Sequence, residues 1–133
     1  MGKPVFRNMG KKHSPRFLAT VEQSRAAIQE CDIDQFTSML EDGREIVVID
    51  VREQHEYDAG SFGGALHLSK GVIERDIEKH PISEDARIVL YCGGGFRSAL
   101  AAESLIRMGY TNVYSLWGGW RSLVAAGLAT PNQ

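Results

Sequence analysis

Cysteine is scarce. The 133-residue chain holds two, Cys31 and Cys92, too few for a disulfide framework, so a reducing compartment is the simplest setting and each thiol needs its own explanation. A dominant charge is missing too. The formal net charge of −2 argues against the chain as a whole binding nucleic acid or a membrane. No apolar run approaches the roughly 20 residues that cross a bilayer, and no apolar h-region follows the basic start, which disfavours a secretory signal. His13, His55, His67 and His80 are scattered without ligand spacing, so no metal and no cofactor are expected. None of them is suited by position alone to pair with Cys92, which disfavours a cysteine-protease dyad. Gly-Lys-Ser/Thr is absent, excluding a nucleotide phosphate loop. Gly93-x-Gly95-x-x-Ser98 lacks the third glycine of a dinucleotide fingerprint, and no Gly-x-Ser-x-Gly elbow occurs.

What is present reads as one globular domain. Apolar residues make up 43% and charged residues 24%, enough to build a core and far from disordered composition. Charge is unevenly placed. Residues 1–16 carry Lys3, Arg7, Lys11, Lys12 and Arg16 and no acid, whereas ten basic and 17 acidic residues follow, a balance of −7. The expected organisation is a basic, flexible N-terminus over 1–16 and a folded domain over 17–133. An acid-free basic start also suits an organelle transit segment, but a cytoplasmic location is the leading expectation.

Periodicity predicts alternating elements. Phe17–Glu30 reads as a weak amphipathic helix, Asp34–Glu41 as a second, and Glu45–Asp50 as a β-branched strand buried on both faces. Residues 51–65 read as a long loop, Leu66–Leu68 as a brief strand, and Val72–Lys79 as a short helix before Pro81. Arg87–Tyr91 is the second strong strand, followed by a glycine-rich turn and a helix ending near Gly109. Asn112–Leu116 is a third strand; Gly118-Gly119 breaks the chain before a last helix from Trp120 to Ala126. Such alternation implies βαβ units, a parallel sheet and an α/β fold.

In parallel α/β sheets ligands bind beyond the carboxyl ends of the strands. Cys92 stands there, followed by Gly93, Gly94, Gly95, Phe96, Arg97 and Ser98. A lone cysteine ending an apolar strand is usually a small buried hydrophobe. The six residues after it argue otherwise. Three glycines let backbone amides turn toward one point and tolerate φ > 0, which makes an anion nest. A helix beginning near Ser98 adds roughly +0.5 charge at the same mouth, and Arg97 adds a full one. This setting favours a thiolate, the nucleophilic form. Cys31 reads as filler in or beside an early strand.

These residues resemble the rhodanese (sulfurtransferase) domain family. The likeness rests on Ile49-Asp50-Val51-Arg52-Glu53 with Glu56-Tyr57, on Gly60 to Ala65, and on Val89-Leu90-Tyr91-Cys92 through Arg97-Ser98. It continues in Gly109-Tyr110-x-Asn112-Val113, Gly118-Gly119 and Ala126-Gly127, covering about residues 30–130 in order. The resemblance implies a three-layer α/β domain whose mostly parallel sheet has about five strands. It implies that Cys92 takes sulfane sulfur from a donor such as thiosulfate as a persulfide and passes it to cyanide or a thiol. In such proteins Asp50 and Arg52 buttress the loop by hydrogen bonds and ion pairs; an exposed turn with a surface ion pair to Glu53 or Glu56 is the alternative. Partners implied are a small-molecule sulfur donor and acceptor and a sulfur-relay protein, with the chain a monomer or homodimer. A persulfide carrier or interaction module without turnover is the competing function. Related cysteine phosphatases use Cys-x5-Arg, whereas Cys92-x4-Arg97 is one residue shorter and suits sulfur. Two departures stand out: Ser61-Phe62-Gly63 replaces the usual His-Ile-Pro, and Gly93–Phe96 carries none of the basic residues that efficient thiosulfate users often have. Phe96 either lines the mouth or packs beneath it. Trp117 and Trp120 read as core.

Overall fold

Strand residues that alternate between two apolar faces need covering on both, and the chain supplies helices for each. The computed structural model describes residues 13–132; most of the expected basic N-terminus (1–16) lies outside them. The elements run α1 (Pro15–Ala27), β1 (Gln29–Cys31), α2 (Ile33–Glu41), β2 (Val47–Asp50), α3 (Gln54–Asp58), β3 (Leu66–His67), α4 (Ile73–Asp76), β4 (Ile88–Tyr91), α5 (Phe96–Arg107), β5 (Val113–Leu116) and α6 (Gly119–Ala125). The five strands form one sheet in the order β1-β5-β4-β2-β3, and every pairing is parallel.

The period-2 rule assigns the faces. Ile49, Ile88, Leu90 and Val113 join Val21 of α1, Ile73 of α4 and Ala99, Ala102 and Leu105 of α5 in one cluster. Val48, Val89, Tyr91 and Leu116 join Phe36 of α2 and Leu123 of α6 in the other. The result is helix–sheet–helix, three layers, as the resemblance implied. Cys31 and Cys92 are both free and buried, but they sit in opposite clusters. Cys31 is therefore a packing residue of β1, and burial pushes its thiol up to about 12.

Three local readings change. The expected first helix stops at Ala27, and Gln29–Cys31 pairs with β5 as an edge strand; three residues of mixed polarity are too short to show a period. The expected loop 51–65 contains α3, whose first turn closes when the Glu53 amide donates to the Glu56 carboxylate at 3.0 Å. The expected helix 72–79 divides into α4 and a 3-10 turn, Ile77–Lys79. Helix α2 begins on a capping box, with Asp32 accepting from the Gln35 amide and Gln35 accepting from the Asp32 amide. Among the described residues no helix is long and apolar enough to cross a membrane.

Candidate active site

Strand β4 is fully buried and delivers Cys92 at its carboxyl end, at the centre of the sheet. Residues 93–95 then turn the chain into α5. Only one of the three glycines needs its special freedom for conformation: Gly95, at φ 115°, is the helix N-cap. A Cβ on it would lie 3.2 Å from the Trp117 ring. The helix begins at Phe96, two residues before the expected start, which moves Arg97 and Ser98 into its first turn.

The orientation of the loop is set from outside it. The Trp120 amide donates to the Cys92 carbonyl at 2.7 Å, the Arg121 amide to Gly93 at 3.3 Å and the Gly118 amide to Gly94 at 3.0 Å. In a trans peptide the C=O and the following N–H point in opposite directions. Three carbonyls held toward α6 therefore turn the amides of Gly93, Gly94 and Gly95 the other way. The last of these is seen at work: the Gly95 amide donates to Sγ of Cys92 at 3.1 Å. Close approach of α6 requires Gly119, where a Cβ would stand 2.3 Å from the Cys92 carbonyl oxygen.

Sγ also lies 3.6 Å from the Ser98 hydroxyl, which shares a 2.8 Å hydrogen bond with the Ser115 hydroxyl. Both serines are fully buried. Cys92 itself is 1% exposed, yet it forms part of the lining of an open cavity of about 330 Å³. His13, Phe17, Glu56, Gly93, Gly94, Phe96, Arg97 and Arg121 complete that lining. Phe96 does both things its position allowed, lining the cavity while packing in the core.

Arg97 is held in a two-pronged ion pair with Glu56, at 2.7 and 3.1 Å. Each partner steadies the other's charge: Arg97 holds the Glu56 carboxyl down at about 2, and Glu56 raises the guanidinium. Asp50 and Arg52 do not line the cavity. They form a buried pair at 2.7 Å, rather than the surface pair with Glu53 or Glu56 that was the alternative. Arg52 also donates to the Gly60 carbonyl, and Asp50 accepts from the Tyr91 hydroxyl at 2.6 Å. The Arg52 guanidinium lies 4.5 Å from the Trp120 ring centroid. The pair thus meets the loop through Tyr91, which precedes Cys92, and Trp120, which holds its carbonyl. The hydrogen bonds and the ion pair of Asp50 and Arg52 reach the loop through these two neighbours.

Sequence reasoning brought Cys92, Gly93, Gly94, Gly95, Phe96, Arg97 and Ser98 together and missed several neighbours. Ser115 had a signal, a hydroxyl inside an otherwise apolar strand. Gly118-Gly119 was visible as a break but not as a clamp. Glu56 stood in the matching Glu56-Tyr57 segment but without a link to Arg97, and Arg121, His13 and Phe17 carried no signal, because these proximities exist only in the folded chain.

Known proteins match this chain over most of its length. The Rhodanese-like domain family model matches residues 32–126. The thiosulfate sulfurtransferase GlpE of Coxiella burnetii is 35% identical over 79 residues, covering 59% of this chain and 72% of its own. The polysulfide-sulfur transferase homodimer of Wolinella succinogenes superposes with a TM-score of 0.72 at 27% identity, over 85% of each chain. A Rhodopseudomonas palustris protein of unknown function, described as a "possible tyrosine phosphatase", also gives 0.72, at 25% identity, over 95% of this chain and 97% of that one.

Proposed function

Because the chain belongs to the rhodanese-like domain family, we propose that it is a sulfurtransferase working through a persulfide on Cys92. The observation that carries this is the Gly95 amide donating to Sγ of Cys92 at 3.1 Å, inside a loop whose other carbonyls are pulled away from the cavity. Amides aimed at one point, with the start of α5 behind them, stabilise a sulfur anion before and after transfer.

The thiolate attacks the outer sulfur of thiosulfate; the S–S bond breaks and sulfite leaves with the bonding pair. Cys92 is left as a persulfide anion, and the Gly93, Gly94 and Gly95 amides are placed to receive its charge. Cyanide, or a thiolate, attacks the terminal sulfur, and the electron pair returns to Sγ. No net proton moves when cyanide accepts. Arg97 contributes a fixed cation at the mouth, neutralised in part by Glu56, and Arg121 lies beside Gly94 as a second one. Asp50, Arg52 and Tyr91 keep the end of β4 from shifting. The same persulfide would serve a relay protein as acceptor.

The test is cyanide-dependent formation of thiocyanate from thiosulfate, with mass spectrometry of the Cys92 peptide. Gain of one sulfur atom, and loss of turnover to background in Cys92→Ala, are the expected results. A persulfide that forms without turnover identifies a carrier instead. Hydrolysis of an aryl phosphate with no sulfur uptake would overturn the proposal in favour of a phosphatase.

A further inference from the structure

The cavity over Cys92 has a wall that the matched region does not supply. His13 and Phe17 stand before residue 32, where the family match begins, yet both line the cavity. The His13 ring meets Phe96 edge-on, centroids 4.7 Å apart at 70°, and lies 5.3 Å from Phe17. Phe17 and Phe96 are themselves 6.4 Å apart at 61°. These are the spacings and tilts that aromatic rings prefer.

The wall is held in place. Val21 of α1 is fully buried. The Ser24 hydroxyl donates to Glu103 of α5 at 2.9 Å. Arg25, 2% exposed, donates to Glu30 at 3.0 Å, and its guanidinium lies 4.1 Å from the Trp117 ring centroid. Helix α1 is therefore pinned along its second half, and its first turn projects over the start of α5.

The opposite side of the cavity is charged but largely balanced. Glu56 answers Arg97, and Arg121 lines the same side. Thiosulfate is a small dianion with no apolar surface. It leaves the three rings unfilled and brings two negative charges beside them, losing hydration that the rings do not replace. A thiosulfonate, R–SO2–S⁻, offers the same terminal sulfur on a monoanion and a carbon body that covers the rings. A volume of about 330 Å³ is within the range of small-molecule sites and far exceeds a five-atom anion.

The geometry points to His13, Phe17 and Phe96 as a specificity wall that selects organic sulfane-sulfur donors with an aromatic body over inorganic thiosulfate. The inference rests on the sulfurtransferase reading above. The chemistry is conserved: the Cys92 thiolate attacks the terminal sulfur, the S–S bond breaks, and a sulfinate leaves with the electron pair in place of sulfite.

Benzenethiosulfonate and thiosulfate, each with cyanide as acceptor, provide the test. In the wild-type chain kcat/KM should favour benzenethiosulfonate by about tenfold or more. Phe17→Ala and His13→Ala should each narrow that ratio by about threefold or more, chiefly through KM for the aryl donor, with Phe17→Leu in between. A ratio within one sample cancels the concentration of active protein, so partial unfolding of a variant cannot imitate the effect. Sulfur uptake from both donors with no preference, or a preference untouched in both alanine variants, overturns the specificity wall alone. Uptake from neither donor overturns it together with the sulfurtransferase reading.

Discussion

Sγ of Cys92 sits 3.1 Å from the amide that donates to it and 3.6 Å from the Ser98 hydroxyl, which is tied to Ser115 at 2.8 Å. A hydroxyl donates or accepts by rotating its hydrogen. When the sulfur is a thiol, its S–H can donate to Ser98. When it is an anion, Ser98 donates to sulfur and Ser115 donates to Ser98, so the pair follows the charge without moving a heavy atom. A hydrogen bond to a charged group is worth about 1.5–3 kcal/mol. Ser98→Ala should therefore slow alkylation of Cys92 by iodoacetamide at neutral pH by about tenfold. Ser115→Ala, which removes only the second link, should slow it by about threefold. Alkylation of Ser98→Ala at the wild-type rate would remove the two hydroxyls from the stabilisation of the sulfur anion.

At the scale of elements, the loop that carries chemistry is shaped by one that does not. The start of α6 supplies the three amides that hold the carbonyls of residues 92–94, and it comes close enough only because Gly119 has no side chain. Gly119→Ala puts a Cβ against backbone and forces φ +48° on a residue with a Cβ, so a loss of about 3 kcal/mol or more is expected. Gly127→Ala is the control: its φ is +74° with nothing within 4 Å, and strain alone should cost about 1–2 kcal/mol. Denaturant midpoints separate the two; equal losses would remove the clamp from the argument. This clamp also marks where the sequence stops being legible. Val47–Asp50, Ile88–Tyr91 and α5 stand out because burial on both faces, or on one helical stripe, writes a long repeating signal. The reactive loop is local in sequence, from Cys92 to Ser98, and could be read as a unit. Its supports come from residues 13–17, 50–60 and 115–121; the family motif pointed to Asp50 and Arg52, and nothing in a linear pattern encodes that the rest meet. Two short elements lay inside segments read otherwise, β1 with three residues and α3 with five.

For the whole molecule, two sets of groups confine stability to a window of pH. On the acid side Glu56 is held at about 2 by Arg97, and Asp42 lies well below the usual carboxylate range through Arg87 and the Arg44 amide. A carboxyl lowered on folding contributes stability above its unfolded value, about 4, and loses it as pH falls through the folded value. On the alkaline side the sign reverses. Cys31 is raised to about 12 by burial beside Glu30 and Asp32, and Tyr91 is raised by burial and by Asp50. An unfolded thiol ionises near 8.5 while the folded one stays neutral, so stability holds below about 8.5 and declines as pH rises toward 12. The expected profile of urea midpoints is a plateau from about pH 5 to 8 with a fall on each side. Among the described residues Cys31 drives the first part of the alkaline fall, with a slope approaching about 1.4 kcal/mol per pH unit before Tyr91 and Tyr110, both raised by burial, join near pH 10. Cys31→Ala should lower the plateau by the packing it removes, yet flatten the profile between about pH 8.5 and 10. Glu56→Gln should flatten part of the acid fall and leave the alkaline one as it is. An alkaline decline with the same onset in Cys31→Ala would mean that the thiol ionises in the folded chain as readily as in the unfolded one, and that β1 does not seal the edge of the sheet against solvent.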